Sequence, residues 1–344
     1  MLSTKKTRVR EILTVVGQKR KILILCHNNP DPDAIGSAFA LQTLLQQTLK
    51  RKAIIAFGGH IIRAENREFK RRLKIKMTPV QEIDFSRFSI ICLVDTQPGA
   101  GNNALPRNVV PQIVIDHHQP FRRDTTRCEF YDILPEYGST ATIITQYLID
   151  LNLEVDKRVA TALFYGLKTD TNNLLRSKNK ADLDVFNYLF PKVALKTLGA
   201  IEHPAVPHTY YLQLDNALQN SHQYKDVLIS HMGRLYNPDG VAEMAEFLLR
   251  MENIRWSLCL GEFNQHLYLS VRTSRRGWYA GNIAGRILKG IGSGGGHEKT
   301  AGGSVDLRDR SPHEISRISQ KIIDRFLKIV NISPDIKKPL LKKK

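Results

Sequence analysis

The stretch Lys21-Ile-Leu-Ile-Leu-Cys26-His27-Asn-Asn-Pro30-Asp31-Pro32-Asp33-Ala-Ile-Gly36-Ser37 decides how the rest of the chain is read. Ile22–Cys26 is uniformly apolar and short, which predicts a strand buried on both faces rather than a half-exposed one. A polar loop follows, with one imidazole and two carboxylates between His27 and Asp33, stiffened by Pro30 and Pro32. The next stretch, about Ala34 to Leu49, has the apolar spacing of a helix. Strand, polar loop and helix form the unit of an open α/β sheet. In such sheets ligands bind beyond the carboxyl ends of the strands, and the N–H groups that open the following helix receive anions.

Working outward, Ala53–Phe57, Ser89–Val94 and Gln112–Ile115 repeat the strand pattern, each feeding a polar loop. Helices are predicted over Ser139–Leu151 and Asp156–Gly166, with another beginning near Ala181. The densely basic Arg63–Lys76 reads as a helix with an exposed charged face. Short apolar strands between helical stretches predict a parallel sheet covered on both faces. The character changes after Lys196, through Pro204, Pro207 and a polar helical connector. A second pattern then runs through Asp226–His231, the helix Val241–Arg250 and the strands Trp256–Gly261 and His266–Arg272. A glycine-dense turn, Gly290–Gly296, precedes a further strand and a terminal helix. The expected architecture is therefore α/β in two domains with a cleft between them. A larger parallel-sheet domain spans 1–196, a helical connector 197–224, a smaller α/β domain 225–334 and a basic tail 335–344.

Composition narrows the classes. The 344 residues are 42% hydrophobic and 24% charged, which fits a folded chain of roughly two domains. Fifty-one basic residues face 33 acidic ones, a net charge of +18. Removing Asp335–Lys344 takes away five lysines and one aspartate and leaves +14, so the bias belongs to the body of the chain and points to polyanionic partners. No apolar run approaches the ~20 residues of a membrane span. Lys5, Lys6, Arg8 and Arg10 are not followed by the apolar segment of an export signal. Cys26, Cys92, Cys128 and Cys259 lack metal-finger spacing, and Cys26 and Cys92 read as reduced core residues, so a cytoplasmic location without membrane contact is expected. There is no GxxxxGK[ST] loop and no GxSxG elbow.

The first loop's chemistry recurs. Asp95 closes the strand Ile90–Val94, Asp116-His117-His118 closes Ile113–Ile115, and Asp170 stands in a polar turn after a helix. Gathered on one edge of the sheet, these carboxylates would repel one another unless cations neutralised them. Mixed imidazole and carboxylate ligands suit a borderline-hard divalent ion: two Mn²⁺, with Mg²⁺ or Co²⁺ as substitutes. Two such ions ~3.5–4 Å apart would bind phosphoryl oxygens and activate water.

These residues resemble the four motifs of the DHH phosphoesterase superfamily: the His27…Asp31-x-Asp33 loop, Asp95, Asp116-His117-His118 and Asp170. Gly294-Gly295-Gly296-His297…Ala301-Gly302-Gly303 resembles the glycine-rich motif of the domain associated with it. The resemblance spans about residues 20 to 330 and is closest to the two-domain oligoribonuclease and pAp-phosphatase type, called NrnA-like. It implies that His27, Asp31 and Asp95 hold one metal, and that Asp33, Asp95, His117 and Asp170 hold the other, with Asp95 bridging. It further implies that His118 contacts the phosphate and that Asp116 orients a neighbouring histidine. In the second domain it implies phosphate contacts from Arg272, close ligand approach along Gly294–Gly296 and a donor at His297. Ser293 and Thr300 depart mildly from the family's smaller residues.

The resulting expectation is a metal-dependent hydrolase of short RNA or DNA oligonucleotides or small nucleotides such as pAp or pApA. Related enzymes often form dimers, so a homodimer is compatible with the resemblance. Two other readings share the residues: a RecJ-like single-strand exonuclease, and a nucleotide- or RNA-binding protein of the same fold without catalysis. A family II inorganic pyrophosphatase shares the first half but lacks the GGGH turn. Arg63–Arg67 either lines the cleft or is a solvated helix face.

Overall fold

Ile22–Cys26 forms β1, and all five of its side chains are buried. Strand alternation sends Ile22, Ile24 and Cys26 to one face and Leu23 and Leu25 to the other. The computed structural model describes residues 5–341 apart from 20, 62, 178 and 297. Around β1 lie β2 (Ala53–Phe57), β3 (Thr78–Pro79), β4 (Ile90–Val94), β5 (Ile113–Asp116) and β6 (Phe130–Ile133). They pair in parallel in the order β3-β2-β1-β4-β5-β6. The direction in which strands are added reverses between β1 and β4. That switch point is where an open parallel sheet leaves a crevice at its carboxyl edge.

Helices α1 (Lys5–Val16), α2 (Pro32–Leu49), α3 (Ala64–Arg72), α4 (Thr140–Asp150), α5 (Lys157–Asp170), α6 (Lys180–Leu189) and α7 (Leu195–Glu202) all feed one core, on the face of Ile22 and Ile24. The opposite face is covered as well, but not by α-helices. Leu23, Leu25, Ile91 and Leu93 pack under Val80, Ile83, Phe85, Phe88, Leu105 and Val109 from short turns and loops. The sheet is thus covered on both faces as expected, by helices on one and by short turns and loops on the other. Between β3 and β4 only the short 3-10 turns Val80–Glu82 and Phe85–Arg87 form, and between β4 and β5 Pro98, Pro106 and Pro111, with Gly99 and Gly101, oppose a helix. The basic helix also stops short, at Arg72 instead of Lys76. Strands β3 and β6 escaped the sequence pattern because one is two residues long and the other buries a charged residue, Asp132, and exposes an aromatic one, Tyr131.

The chain divides into two compact units, Met1–Ala205 and Val206–Lys344. The second contains α8 (His208–Gln219), β7 (Ser221–Tyr224), β8 (Val227–Arg234), α9 (Gly240–Leu249), β9 (Trp256–Phe263), β10 (His266–Thr273), α10 (Ala280–Leu288), β11 (Ser293–Gly296), β12 (Thr300–Asp306), α11 (Pro312–Ile329) and β13 (Lys338–Pro339). Its mixed sheet runs β11-β12-β10-β9-β8-β7-β13, parallel only between β8 and β9. Trp256 and Leu258 pack with Ile287 and Phe326 on one face, while Met232 and Cys259 pack with Met244 and Leu248 on the other. The glycine-dense segment read as a turn is in part the edge strand β11, hydrogen-bonded to β12. No helix among the described residues is long and apolar enough to cross a membrane.

Candidate metal centre

Each side chain of the first unit's polar cluster is delivered by the end of a regular element. The loop after β1 is pinned by Asn28 N–H donating to Asn102 C=O (2.6 Å) and Asn29 N–H to Gly58 C=O (2.9 Å). Asp31 caps α2, accepting from Ala34 N–H at 3.0 Å, and Pro32 takes the first helical position, where no N–H is needed. Asp33 therefore sits in the first turn, fully buried. Asp95 follows β4 with φ 63°, a left-handed conformation uncommon for a non-glycine residue, held by its N–H donating to Ile115 C=O at 2.9 Å. Asp116 ends β5, and His117 and His118 come directly after it.

Asp170 is the last residue of α5, not a residue of a turn beyond the helix as its sequence context suggested. Its arrival depends on two glycines. A Cβ on Gly36 of α2 would lie 2.6 Å from Ala162 C=O of α5, and one on Gly166 would lie 3.0 Å from the Asp33 Cα. Without side chains at these points α2 and α5 press together, so the end of one helix meets the start of the other.

The resulting geometry centres on Asp95. Its Oδ2 lies 3.6 Å from His27 Nε2, which is 3.7 Å from Asp31 Oδ1. Its Oδ1 lies 3.7 Å from His117 Nε2, which is 3.0 Å from Asp170 Oδ2. His27, Asp31 and Asp95 each offer a ligand atom within 4.8 Å of the others, and so do Asp33, His117 and Asp170; Asp95, His117 and His118 make a third such group. Seven of the eight first-unit residues singled out in the sequence fall in these groups, and the eighth, Asp116, lies 2.8 Å from His118 Nδ1, while Arg272 and the glycines belong to the second unit.

Hydrogen bonding sets the protonation pattern. Nδ1 of His27 meets Asn28 C=O (2.9 Å) and Nδ1 of His117 meets Tyr137 C=O (3.2 Å). A carbonyl only accepts, so both Nδ1 atoms carry the proton and a neutral ring turns a lone pair at Nε2 toward carboxylates. His117 Nε2 is buried without an aligned hydrogen bond although Asp170 is 3.0 Å away. Lone pair facing carboxylate is a repulsive contact unless a proton or a metal cation lies between them. That orphaned nitrogen, with hard oxygen donors on every side, fits a divalent cation.

Electrostatics agree. Burial, then Asp95, Asp170 and Asp31, hold Asp33 well above the usual carboxylate range. Burial works against the charged form of His27 and His117, but the facing carboxylates prevail: His27 is raised by Asp31 and Asp95, and His117 is pushed up to about 9, chiefly by Asp170. His118 is likewise pushed up to about 9 against its burial, mainly by Asp116. Desolvation opposes the charge on Asp31 and Asp116, yet His27 and His118 respectively keep them low.

Several supporting residues carried no sequence signal. Asp116 Oδ1 accepts from His118 Nδ1 at 2.8 Å, while Asp116 Oδ2 accepts from the buried Gln97 (2.8 Å), whose amide also donates to His118 C=O (3.0 Å). The opening of α4 holds two other carboxylates. Thr140 and Ala141 N–H donate to Asp33 at 2.7 and 2.8 Å, and the Thr140 hydroxyl donates to Asp95 at 2.8 Å. Fully buried Asp182 accepts from Gly138 N–H (3.0 Å), Thr142 (2.8 Å) and Ser177 (2.9 Å), which anchors the loop that brings Tyr137 C=O to His117. Ser139 was legible only as the start of a helix. Nothing short of the packed loop shows what Gln97, Thr140 and Asp182 hold.

In the second unit Arg272 is 8% exposed, and its Nη1 donates to Ser270 Oγ (2.6 Å), Val271 C=O (3.0 Å) and Ala301 C=O (3.1 Å). The glycines serve packing. A Cβ on Gly294 would meet Leu288 at 2.6 Å, one on Gly296 (φ 153°) Thr300 C=O at 2.3 Å, and one on Gly281 Gly296 C=O at 2.3 Å. Gly295 alone of the three faces open space. His297 lies outside the described residues, as do Lys342–Lys344.

Comparison with known proteins follows these two units. Residues 21–167 match the DHH family, N-terminal domain, and residues 225–328 match the DHHA1 domain. An uncharacterized protein of Methanocaldococcus jannaschii is 32% identical over 343 residues, covering 98% of this chain and 70% of that one. A cyclic-di-AMP phosphodiesterase of Listeria monocytogenes is 23% identical, over 94% of this chain and 51% of its own greater length, so the chain spans about half of that relative. Among solved structures, an exopolyphosphatase-related protein from Bacteroides fragilis aligns over 95% of this chain and 98% of its own, with a TM-score of 0.74 at 17% identity, which shows a shared fold.

Proposed function

The chain belongs to the DHH superfamily of phosphoesterase hydrolases, and from that premise we propose that it hydrolyses phosphoester bonds in short oligonucleotides or small nucleotides such as pAp and pApA, using two divalent cations, Mn²⁺ by preference. The observation that carries the reading is the convergence of ligand atoms within 4.8 Å of one another in two groups, His27, Asp31 and Asp95, and Asp33, His117 and Asp170, with the buried His117 Nε2 facing both Asp170 and Asp95.

His27, Asp31 and Asp95 would hold one cation, and Asp33, Asp95, His117 and Asp170 the other, with Asp95 common to both. Bound there, such cations supply Lewis-acid polarisation of phosphoryl oxygens and lower the pKa of water. The protein's own groups do the positioning. Backbone carbonyls fix the tautomers of His27 and His117, and the first N–H groups of α4 orient Asp33. His118, its Nδ1 proton committed to Asp116, turns Nε2 to a phosphoryl oxygen as a donor and stabilises charge that grows in the transition state. In the second unit, Arg272, Gly294, Gly295, Gly296 and His297 are the groups assigned to the nucleotide, and Gly295 has open space beside it.

Similarity to a cyclic-di-AMP phosphodiesterase over 94% of the chain favours a cyclic dinucleotide as a second reading. One panel tests both. With Mn²⁺, then Mg²⁺, the purified full chain is offered pAp, pApA, di- to pentanucleotides, a long single strand and cyclic-di-AMP. Metal-dependent turnover concentrated on the short linear substrates is expected. Preference for the cyclic compound would establish the second reading, preference for the long strand would exclude both, and equal rates with and without a chelator would remove the metal from the chemistry.

A further inference from the structure

Phe121 and Tyr131 are 46% and 39% exposed, and their rings lie 5.7 Å apart, tilted by 58°. Two large aromatic faces left in water side by side mark a contact surface, because burying either ring elsewhere would be favourable. Their place in the fold says what they contact. Phe121 is the third residue after His118, and the loop carrying it is tied to the metal centre: Arg122 N–H donates to Gln97 Oε1 at 2.8 Å, and the same Gln97 side chain donates to Asp116 and to His118 C=O. Gln97 is therefore one rigid link between the phosphate-facing histidine and the exposed ring.

Around the rings the cations left without an ion pair outnumber such carboxylates. Arg122, Arg123 and Arg127 follow Phe121 within six residues, and among the described residues none of the three has an ion pair within 4 Å. Of the nearby carboxylates, Glu129 pairs with Lys19 (3.8 Å) and Asp124 stands alone. Exposed aromatic faces beside unpaired guanidinium groups are the combination that single-stranded nucleic acid requires: a flat apolar surface for a base and cations for the flanking phosphates. A protein partner or a lipid surface would find the rings but has no need of a phosphate centre three residues away.

We propose that Phe121, backed by Tyr131, is a stacking platform for a nucleobase of the substrate, and that Arg122, Arg123 and Arg127 carry the phosphates next to it. The proposal rests on the hydrolase reading for its substrate and deepens it: the enzyme takes base-bearing chains in preference to bare phosphate esters.

The experiment uses the full chain without metal, so that binding is read apart from cleavage. A fluorescein-labelled triadenylate and an abasic chain of the same phosphate count are titrated by anisotropy. Phe121→Ala is expected to weaken the triadenylate at least about tenfold, in the range of one lost base stack, and to leave the abasic chain within about twofold. Phe121→Trp is expected to restore or exceed wild-type affinity, which separates stacking from damage to the loop. Arg123→Ala is expected to weaken both chains and flatten the salt dependence. Equal affinity of Phe121→Ala and wild type for the triadenylate overturns the platform, as does an equal loss on both chains, the result expected if the rings serve a protein contact. The two readings fail separately. Base-dependent binding with no Mn²⁺-dependent turnover of any nucleotide would sink the hydrolase and spare the platform. Turnover of pApA with an unchanged KM in Phe121→Ala would do the reverse.

Discussion

Glycines do opposite work in the two units. In the first, Gly36 and Gly166 let α2 and α5 touch backbone to backbone, and that contact carries Asp170 to Asp33. In the second, Gly281, Gly294 and Gly296 let α10 lie against the β11–β12 hairpin, and the space they save is filled by Leu288 and main-chain oxygens. In the glycine run expected to cradle a ligand, Gly294 and Gly296 also make room for packing. The glycines that govern the chemistry sit inconspicuously within helices. A glycine's meaning is set by what its missing Cβ would strike.

This contrast can be broken or sharpened by experiment, beginning with the largest effect. Asp95→Asn keeps the left-handed backbone that asparagine tolerates but removes the charge shared by both halves of the cluster. It is expected to lower kcat/KM by more than ~10³-fold with the melting temperature of the metal-free protein little changed, because relief of the repulsion with Asp33 is offset by lost pairing with His27, His117 and His118. Residual turnover above a hundredth of wild type would show that the first unit's cluster does not act through Asp95.

Proton competition comes next. His117 at about 9 is mostly protonated at pH 7, and a metal must displace that proton. Mn²⁺ affinity is therefore expected to rise about a hundredfold between pH 7 and 9, with protons released on binding; calorimetry in buffers of different ionisation enthalpy reads both. The metal-free protein shows the opposite trend. Raised histidine pKa values stabilise it fully below about 6.5, and that stability drains away as pH climbs through 9. A pH-independent affinity would show that no raised histidine is a ligand.

Gly36→Ala places a methyl 2.6 Å from Ala162 C=O and forces α2 and α5 apart. It is expected to cost ~1–3 kcal/mol of stability and also about tenfold in Mn²⁺ affinity. Gly296→Ala, at φ 153° with a carbonyl 2.3 Å from the new methyl, is expected to cost a similar ~1–3 kcal/mol with Mn²⁺ affinity unchanged. Gly295→Ala, in open space, should stay within ~0.5 kcal/mol of wild type. Thermal unfolding and Mn²⁺ titration of all three would erase the contrast if Gly296→Ala weakened the metal as much as Gly36→Ala.

The metal-binding residue types were readable because each sits at the end of an element with its own local signal: uniform apolarity for β1, β4 and β5, and proline and aspartate at the start of α2. Strand β6 was not readable, since Phe130-Tyr-Asp-Ile133 reports an edge position that only neighbouring strands define. Gln97, Thr140 and Asp182 were invisible for a similar reason. Each is a common polar residue whose importance lies in a hydrogen bond to a partner 19 to 45 positions away. Arg272 was read as a phosphate contact from its strand; the structure shows its guanidinium also bracing Ala301 C=O across β10 and β12.

Local chemistry alone determined that β1, β4 and β5 become strands and α2 a helix, and which side chains stand at their ends, because apolar period, proline and capping carboxylates act over a few residues. Tertiary structure alone decided that Asp95 would turn its two oxygens to different histidines, that α4 would steady Asp33 and that β11 would be a strand. Those outcomes depend on strand order, on how closely helices can approach and on which lone pairs remain once backbone groups have chosen partners, and such quantities exist only after distant segments have been pressed together.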